Sequence, residues 1–134
     1  MDNILIKSVL GTMYSGEKVC QDEESEWLGV KPSQKSDIRV FMNKKYIDTI
    51  YHIDGTIEKL DCKMNKEQVY AENDLLYEDG VVLIRVKGGL TYRGKTVDKI
   101  MDFPQKGYWI SPTTIDELLF YIPNKEVEEM FYEI

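Results

Sequence analysis

The dipeptide Asp54-Gly55, set between two runs of alternating apolar and polar residues, constrains this chain more than any other feature. Such a pair between strand-like runs is the strongest short-range signal for a β-hairpin. The stretch Asp37–Asp61, DIRVFMNKKYIDTIYHIDGTIEKLD, therefore reads as three consecutive antiparallel strands. A two-residue turn at Asp54-Gly55 sets Ile53 opposite Thr56, Tyr51 opposite Glu58 and Thr49 opposite Leu60. A first turn at Asn43-Lys44 sets Val40 opposite Ile47, Phe41 opposite Tyr46 and Arg39 opposite Asp48. The last is an opposite-charge pair, which favours the register. Ile38, Val40, Met42, Ile47, Thr49, Tyr51, Ile53, Leu60 and Cys62 then share the predicted core face.

The flanking sequence supplies the remaining elements. Ile4–Leu10 reads as a first strand, Gly11–Lys18 as a turn, and Asp22 as the cap of a short helix through Leu28, stopped by Gly29 and Pro32. Asn65 can cap a helix over Lys66–Glu72. Val81–Lys87 is the most β-branched run, and Gly88-Gly89 turns it into Leu90–Arg93. Tyr108–Ile110 reads as a short last strand. Beyond it, Ser111-Pro112 resembles a helix start, and Ile115, Leu118, Leu119 and Ile122 fall at i, i+3, i+4, i+7. Val127, Met130, Phe131 and Ile134 echo that spacing after Pro123, and no other repeat stands out. The expected fold is α+β, a single domain over residues 1–134. Its mainly antiparallel, barrel-like sheet is built from the meander 37–61 and the hairpin 81–93, with short helices and a helical C-terminus packed on it.

Of the 134 residues, 43% are hydrophobic and 31% charged, a globular balance and not that of a disordered tail. Cys20 and Cys62 lack the spacing of a metal or redox motif, MDNILIK lacks the features of a signal peptide, and no apolar run could span a bilayer. Cytoplasmic residence without membrane association is the expectation. The net charge of −7 is unevenly spread. Acids cluster at Asp22, Glu23, Glu24 and Glu26, again at Glu72, Asp74, Glu78 and Asp79, and again from Ser111 onward. Gly80–Ile110 is basic, with Arg85, Lys87, Arg93, Lys95, Lys99 and Lys106. The overall acidity argues against nucleic-acid binding.

Gly89-Leu-Thr-Tyr-Arg-Gly94-Lys95-Thr96 fits the phosphate-loop pattern G-x-x-x-x-G-K-[ST]. In that chemistry the backbone amides wrap a phosphate, Lys95 neutralises it and Thr96 holds magnesium. Pro104 follows too soon for the required helix, however, and no downstream strand ends in a metal-binding Asp, so a glycine-rich hairpin is the better reading. Gly11-x-x-x-x-Gly16-Glu17-Lys18 is a weaker version of the same pattern. With His52 the only histidine, a two-histidine metal site is excluded, and no catalytic residue, metal or cofactor is assigned.

The function expected is that of a small acidic binding protein, an inhibitor that docks on a basic partner such as a nuclease or effector. Toxin-immunity and phage anti-defence proteins act in this general way. The contact residues expected are Asp22, Glu23, Glu24, Glu26 and Trp27, together with Glu126, Glu128, Glu129 and Glu133 on the last helix, where Glu128 and Glu129 fall in the half whose dipole disfavours anions. The alternative is a phosphate- or nucleotide-binding protein or enzyme using Gly89, Gly94, Lys95 and Thr96.

Overall fold

The computed structural model describes residues 2–19, 23–61, 64, 67, 76–77 and 79–133. Its strands are β1 (Asn3–Ser8), β2 (Met13–Lys18), β3 (Trp27–Lys31), β4 (Arg39–Asn43), β5 (Ile47–His52), β6 (Ile57–Lys59), β7 (Val82–Val86), β8 (Thr91–Thr96), β9 (Gly107–Ser111), β10 (Leu118–Pro123) and β11 (Val127–Tyr132). All pair antiparallel in one sheet of order β11-β7-β8-β9-β10-β4-β3-β2-β1-β5-β6. Three-residue 3-10 turns, Lys44–Tyr46 and Asn124–Glu126, precede β5 and β11.

Ten of the eleven strands form two copies of one five-stranded unit, and β6 is added at one end. Strands β1–β5 are arranged β5-β1-β2-β3-β4, and β7–β11 are arranged β11-β7-β8-β9-β10. The correspondence extends to single hydrogen bonds. Gly11 N–H donates to Ser8 O in one copy and Gly89 N–H to Val86 O in the other. Val19 and Val97 donate to Gly29 and Trp109, and Ile53 and Glu133 to Asn3 and Val81. The first two strands of each copy correspond at a spacing of 78 residues, the last three at 80. Both copies carry a register shift at the same place, between Lys7 and Ser8 on β1 and between Val127 and Glu129 on β11. The copies meet where β4 pairs with β10, and there Val40 lies opposite Phe120, its own counterpart. This is the self-complementary pairing of a two-fold dimer, held within one chain.

The α+β expectation is thereby corrected: the chain is nearly all antiparallel sheet, and among the described residues no helix reaches seven residues. The predicted C-terminal helices are β10 and β11. Ile115, Leu118, Leu119 and Ile122 mimic helical spacing because every residue of β10 is buried, so both strand faces are apolar. Leu118, Phe120 and Ile122 enter the central core with Val40, Met42, Ile6 and Ile84. Leu119 and Tyr121 enter a second cluster on the opposite face with Phe41 and Trp109. The segment after β8 lies over that face, with Phe103 stacked on Trp109 at 5.8 Å and tilted against Tyr121 at 4.5 Å.

Other expectations also change. Asn43 and Lys44 do not close a hairpin. The Asn43 side chain caps the 3-10 turn by accepting from Lys45 N–H at 3.2 Å, and the chain crosses to place β5 beside β1. Arg39 and Asp48 accordingly sit on strands that do not pair. The Asp54-Gly55 hairpin forms with a three-residue loop, Gly55 in the left-handed region at φ +92°. Tyr51 therefore faces Ile57, and Thr49 faces Lys59, one residue away from the expected register. Ile53, expected on the core face, lies in that loop and is exposed, as are Tyr51 and Leu60, and β6 is exposed on both faces. Gly11–Lys18 is mostly strand β2, not a turn. Trp27 and Leu28 belong to β3 and not to a helix; Asp22, Cys20, Cys62 and most of the Lys66–Glu72 helix lie outside the described residues.

Candidate protein-binding edge

Strand β11 forms one end of the sheet. Its counterpart β5 is covered by β6, whereas no strand among the described residues pairs with the outer side of β11. The β5 amides alternate: Ile53 N–H donates inward to Asn3 O, and His52 N–H donates outward to Thr56 O. In β11, Glu133 N–H donates inward to Val81 O, so the alternation turns the Tyr132 amide toward the open side. Phe131 and Tyr132 are 50% and 72% exposed, a large apolar surface for an outermost strand.

The expected contact acids Glu128, Glu129 and Glu133 all lie on or just after this strand. They are not the uncompensated acids of a helix end. The register shift at Glu128 brings two consecutive acids to Arg85, whose Nε lies 3.7 Å from Glu128 and whose guanidinium bonds Glu129. Arg93 makes a double hydrogen bond to Glu133 at 3.2 and 3.3 Å. The basic hairpin thus partly neutralises the acidic strand, leaving Glu126, Glu128, Glu129 and Glu133 against two arginines. Exposed pairs of this kind contribute little to stability.

The first acidic cluster is elsewhere, before β3. Glu23, Glu24 and Glu26 are exposed, Trp27 is half-buried against the Phe41–Trp109 cluster, and Asp22 is outside the described residues. Lys44 Nζ donates to the Glu23 carbonyl at 2.9 Å. The two predicted acidic groups therefore do not form one continuous site.

Gly89 is the left-handed residue of the β7–β8 turn, at φ +91°, while Gly94, Lys95 and Thr96 lie in β8. A Cβ on Gly94 would stand 2.3 Å from the Ser111 carbonyl oxygen, so this glycine allows β8 to cross β9. Lys95 Nζ is 3.7 Å from Asp79 and 5.0 Å from the Tyr77 ring centroid. The amides of this segment are committed to sheet pairing, not arranged as a loop opening a helix. His52 sits 3.5 Å from Glu58. Among the described residues no group of acids, cysteines and histidines could hold a metal ion, and no helix is long and apolar enough to cross a membrane.

Sequence reasoning missed the open edge because it took β11 for a helix. The signal that would have shown it is the correspondence of Leu5-Ile6, Gly11, Tyr14, Gly16 and Val19 with Leu83-Ile84, Gly89, Tyr92, Gly94 and Val97. Compared with protein-family models, with curated proteins and with solved structures, the chain matches none.

Proposed function

We propose that this is a small acidic, cytosolic binding protein that takes up an extended, basic segment of a partner protein along β11. The observation that supports this reading is the open strand edge where the sister unit carries a sixth strand. Strand addition of this kind gains affinity from main-chain hydrogen bonds and specificity from alternate side chains. The covering strand of the first unit indicates the match: Ile57 lies opposite Tyr51 and Lys59 opposite Thr49. Their counterparts on β11 are Phe131 and Glu129, which suit an aliphatic residue and a basic one two positions apart. An inhibitor of a basic effector would use such an edge. The first acidic cluster, Glu23, Glu24 and Glu26 beside Trp27, supplies a second surface for the same class of partner.

Tyr132→Pro removes the outward amide and keeps the inward Glu133 bond. Affinity purification from native cells with the wild-type protein should recover a basic partner in a salt-sensitive manner, and Tyr132→Pro should lose it with little change in melting temperature. Recovery of the same partner by a folded Tyr132→Pro protein would falsify the edge as its site.

A further inference from the structure

The two units differ most sharply at one place. In the first, Leu10 from the β1–β2 turn, Tyr46 from the 3-10 turn and Ile115 from the β9–β10 connection form a closed apolar cluster, all 8% exposed or less. Ile115 comes from the other unit, and its neighbour Asp116 is bound by Lys45 Nζ at 2.6 Å and the Tyr46 hydroxyl at 2.9 Å. The counterparts of Leu10, Tyr46 and Ile115 in the second unit are Gly88, Glu126 and Lys35. All three line a cleft of about 430 Å³ between the Pro32–Ile38 connection and the β7–β8 turn. Its walls are Ile38, Val86, Leu90 and Tyr92, and Leu90 is 65% exposed.

We propose that this cleft binds a partner peptide presenting an aliphatic side chain followed by an acidic one. Three large-to-small or apolar-to-charged differences leave open, in the second unit, a site that the first unit closes with Ile115-Asp116 reaching across from the second. Lys35 and Lys87, both exposed, have no carboxylate within ion-pair distance among the described residues, and both line the cleft to receive the acid. Glu126 on the wall offers an acceptor to peptide N–H groups. The volume falls within the range of pockets that hold compact ligands. The cleft is separate from the open side of β11, and its occupant has the opposite charge.

The test uses the full chain, methyl NMR, and the blocked peptide PTTIDEL, the sequence of residues 112–118. The peptide should shift the methyl signals of Ile38, Val86 and Leu90. Replacing its isoleucine by alanine or its first acid by asparagine should weaken binding about tenfold or more. The charge reversal Lys35→Glu with Lys87→Glu should do the same without moving the melting temperature. Filling the site with Lys35→Ile, Gly88→Leu and Glu126→Tyr should abolish binding and raise the melting temperature, whereas Tyr132→Pro should leave peptide binding intact. Unshifted methyls at millimolar peptide would overturn the proposal, as would undiminished binding to the charge-reversed protein. Shifts with sodium octanoate but none with the peptide would assign the cleft to a small amphiphile and overturn it equally.

Discussion

Gly16 and Gly94 show at the scale of one residue what the duplication demands. A Cβ on either would lie 2.3 Å from a carbonyl oxygen, Lys31 O for Gly16 and Ser111 O for Gly94. Real Cβ atoms do not approach so closely, so Gly94→Ala must push β8 from β9. The expected cost is about 2 kcal/mol, read as a lower urea midpoint with unchanged slope. An unchanged midpoint would mean the strands already stand farther apart. Asp37 sets a second residue-level expectation. Lys125 bonds its carboxylate, with Gln105 Nε2 at 3.2 Å and Lys31 Nζ at 3.4 Å, and these hold its pKa well below the ordinary 3.8. A carboxylate depressed on folding stabilises the protein above its unfolded pKa and loses that contribution as pH falls through the folded one. The melting-temperature gap between wild type and Asp37→Asn should therefore be full near pH 7 and close progressively in acid below about pH 4. A gap that stays constant down to pH 2 would show that Asp37 acts by shape and not by charge.

Among elements, the strands that were easiest to see are those buried on one face only. β1 and β7 alternate strictly, with Ile4 and Ile6 inward in one and Val82, Ile84 and Val86 inward in the other. β10 was unreadable as a strand because its two faces meet two different clusters, and a continuous apolar run carries no period. The phosphate-loop pattern, read as a glycine-rich hairpin, has its origin in the same repeat. Gly11 and Gly16, like Gly89 and Gly94, are the turn glycine and the crossing glycine of one hairpin, and the second copy happens to follow them with Lys95-Thr96. The hairpin at Gly55 carries its own expectation. Gly55→Val strains a left-handed position where a Cβ meets no neighbour, so the cost of about 1 kcal/mol is conformational alone. β6 is wholly exposed; amide exchange at Leu60, which bonds Asp48 O at 2.9 Å, should accelerate. Amides between β1 and β2 should not change. Equal acceleration in both places would mean that β6 is integral to the core.

At the scale of the molecule, the two units share one core. Phe120 lies edge-on to Tyr14 at 5.9 Å and to Tyr92 at 5.1 Å, which are counterparts from the two copies. Phe120→Ala should cost about 3–5 kcal/mol, and thermal unfolding should remain one transition, since neither half can lose this contact alone. Two resolved transitions by calorimetry would show units that fold separately. This level of organisation was the least legible in the sequence, because the copies share identical residues at only a few scattered positions, such as Leu5-Ile6, Gly11, Tyr14 and Gly16, while their facing surfaces differ. Val40 stands where the second copy has Phe120, and Trp27 and Gly29 where it has Gly107 and Trp109. The pairing of β4 with β10 has a consequence for what such a protein can evolve. A dimer of identical chains must change both of its pockets at once, since each mutation appears twice. Two copies fused in tandem escape that rule. One pocket can be kept shut as a structural plug while its twin is hollowed out, and a symmetric scaffold thereby gains a front and a back.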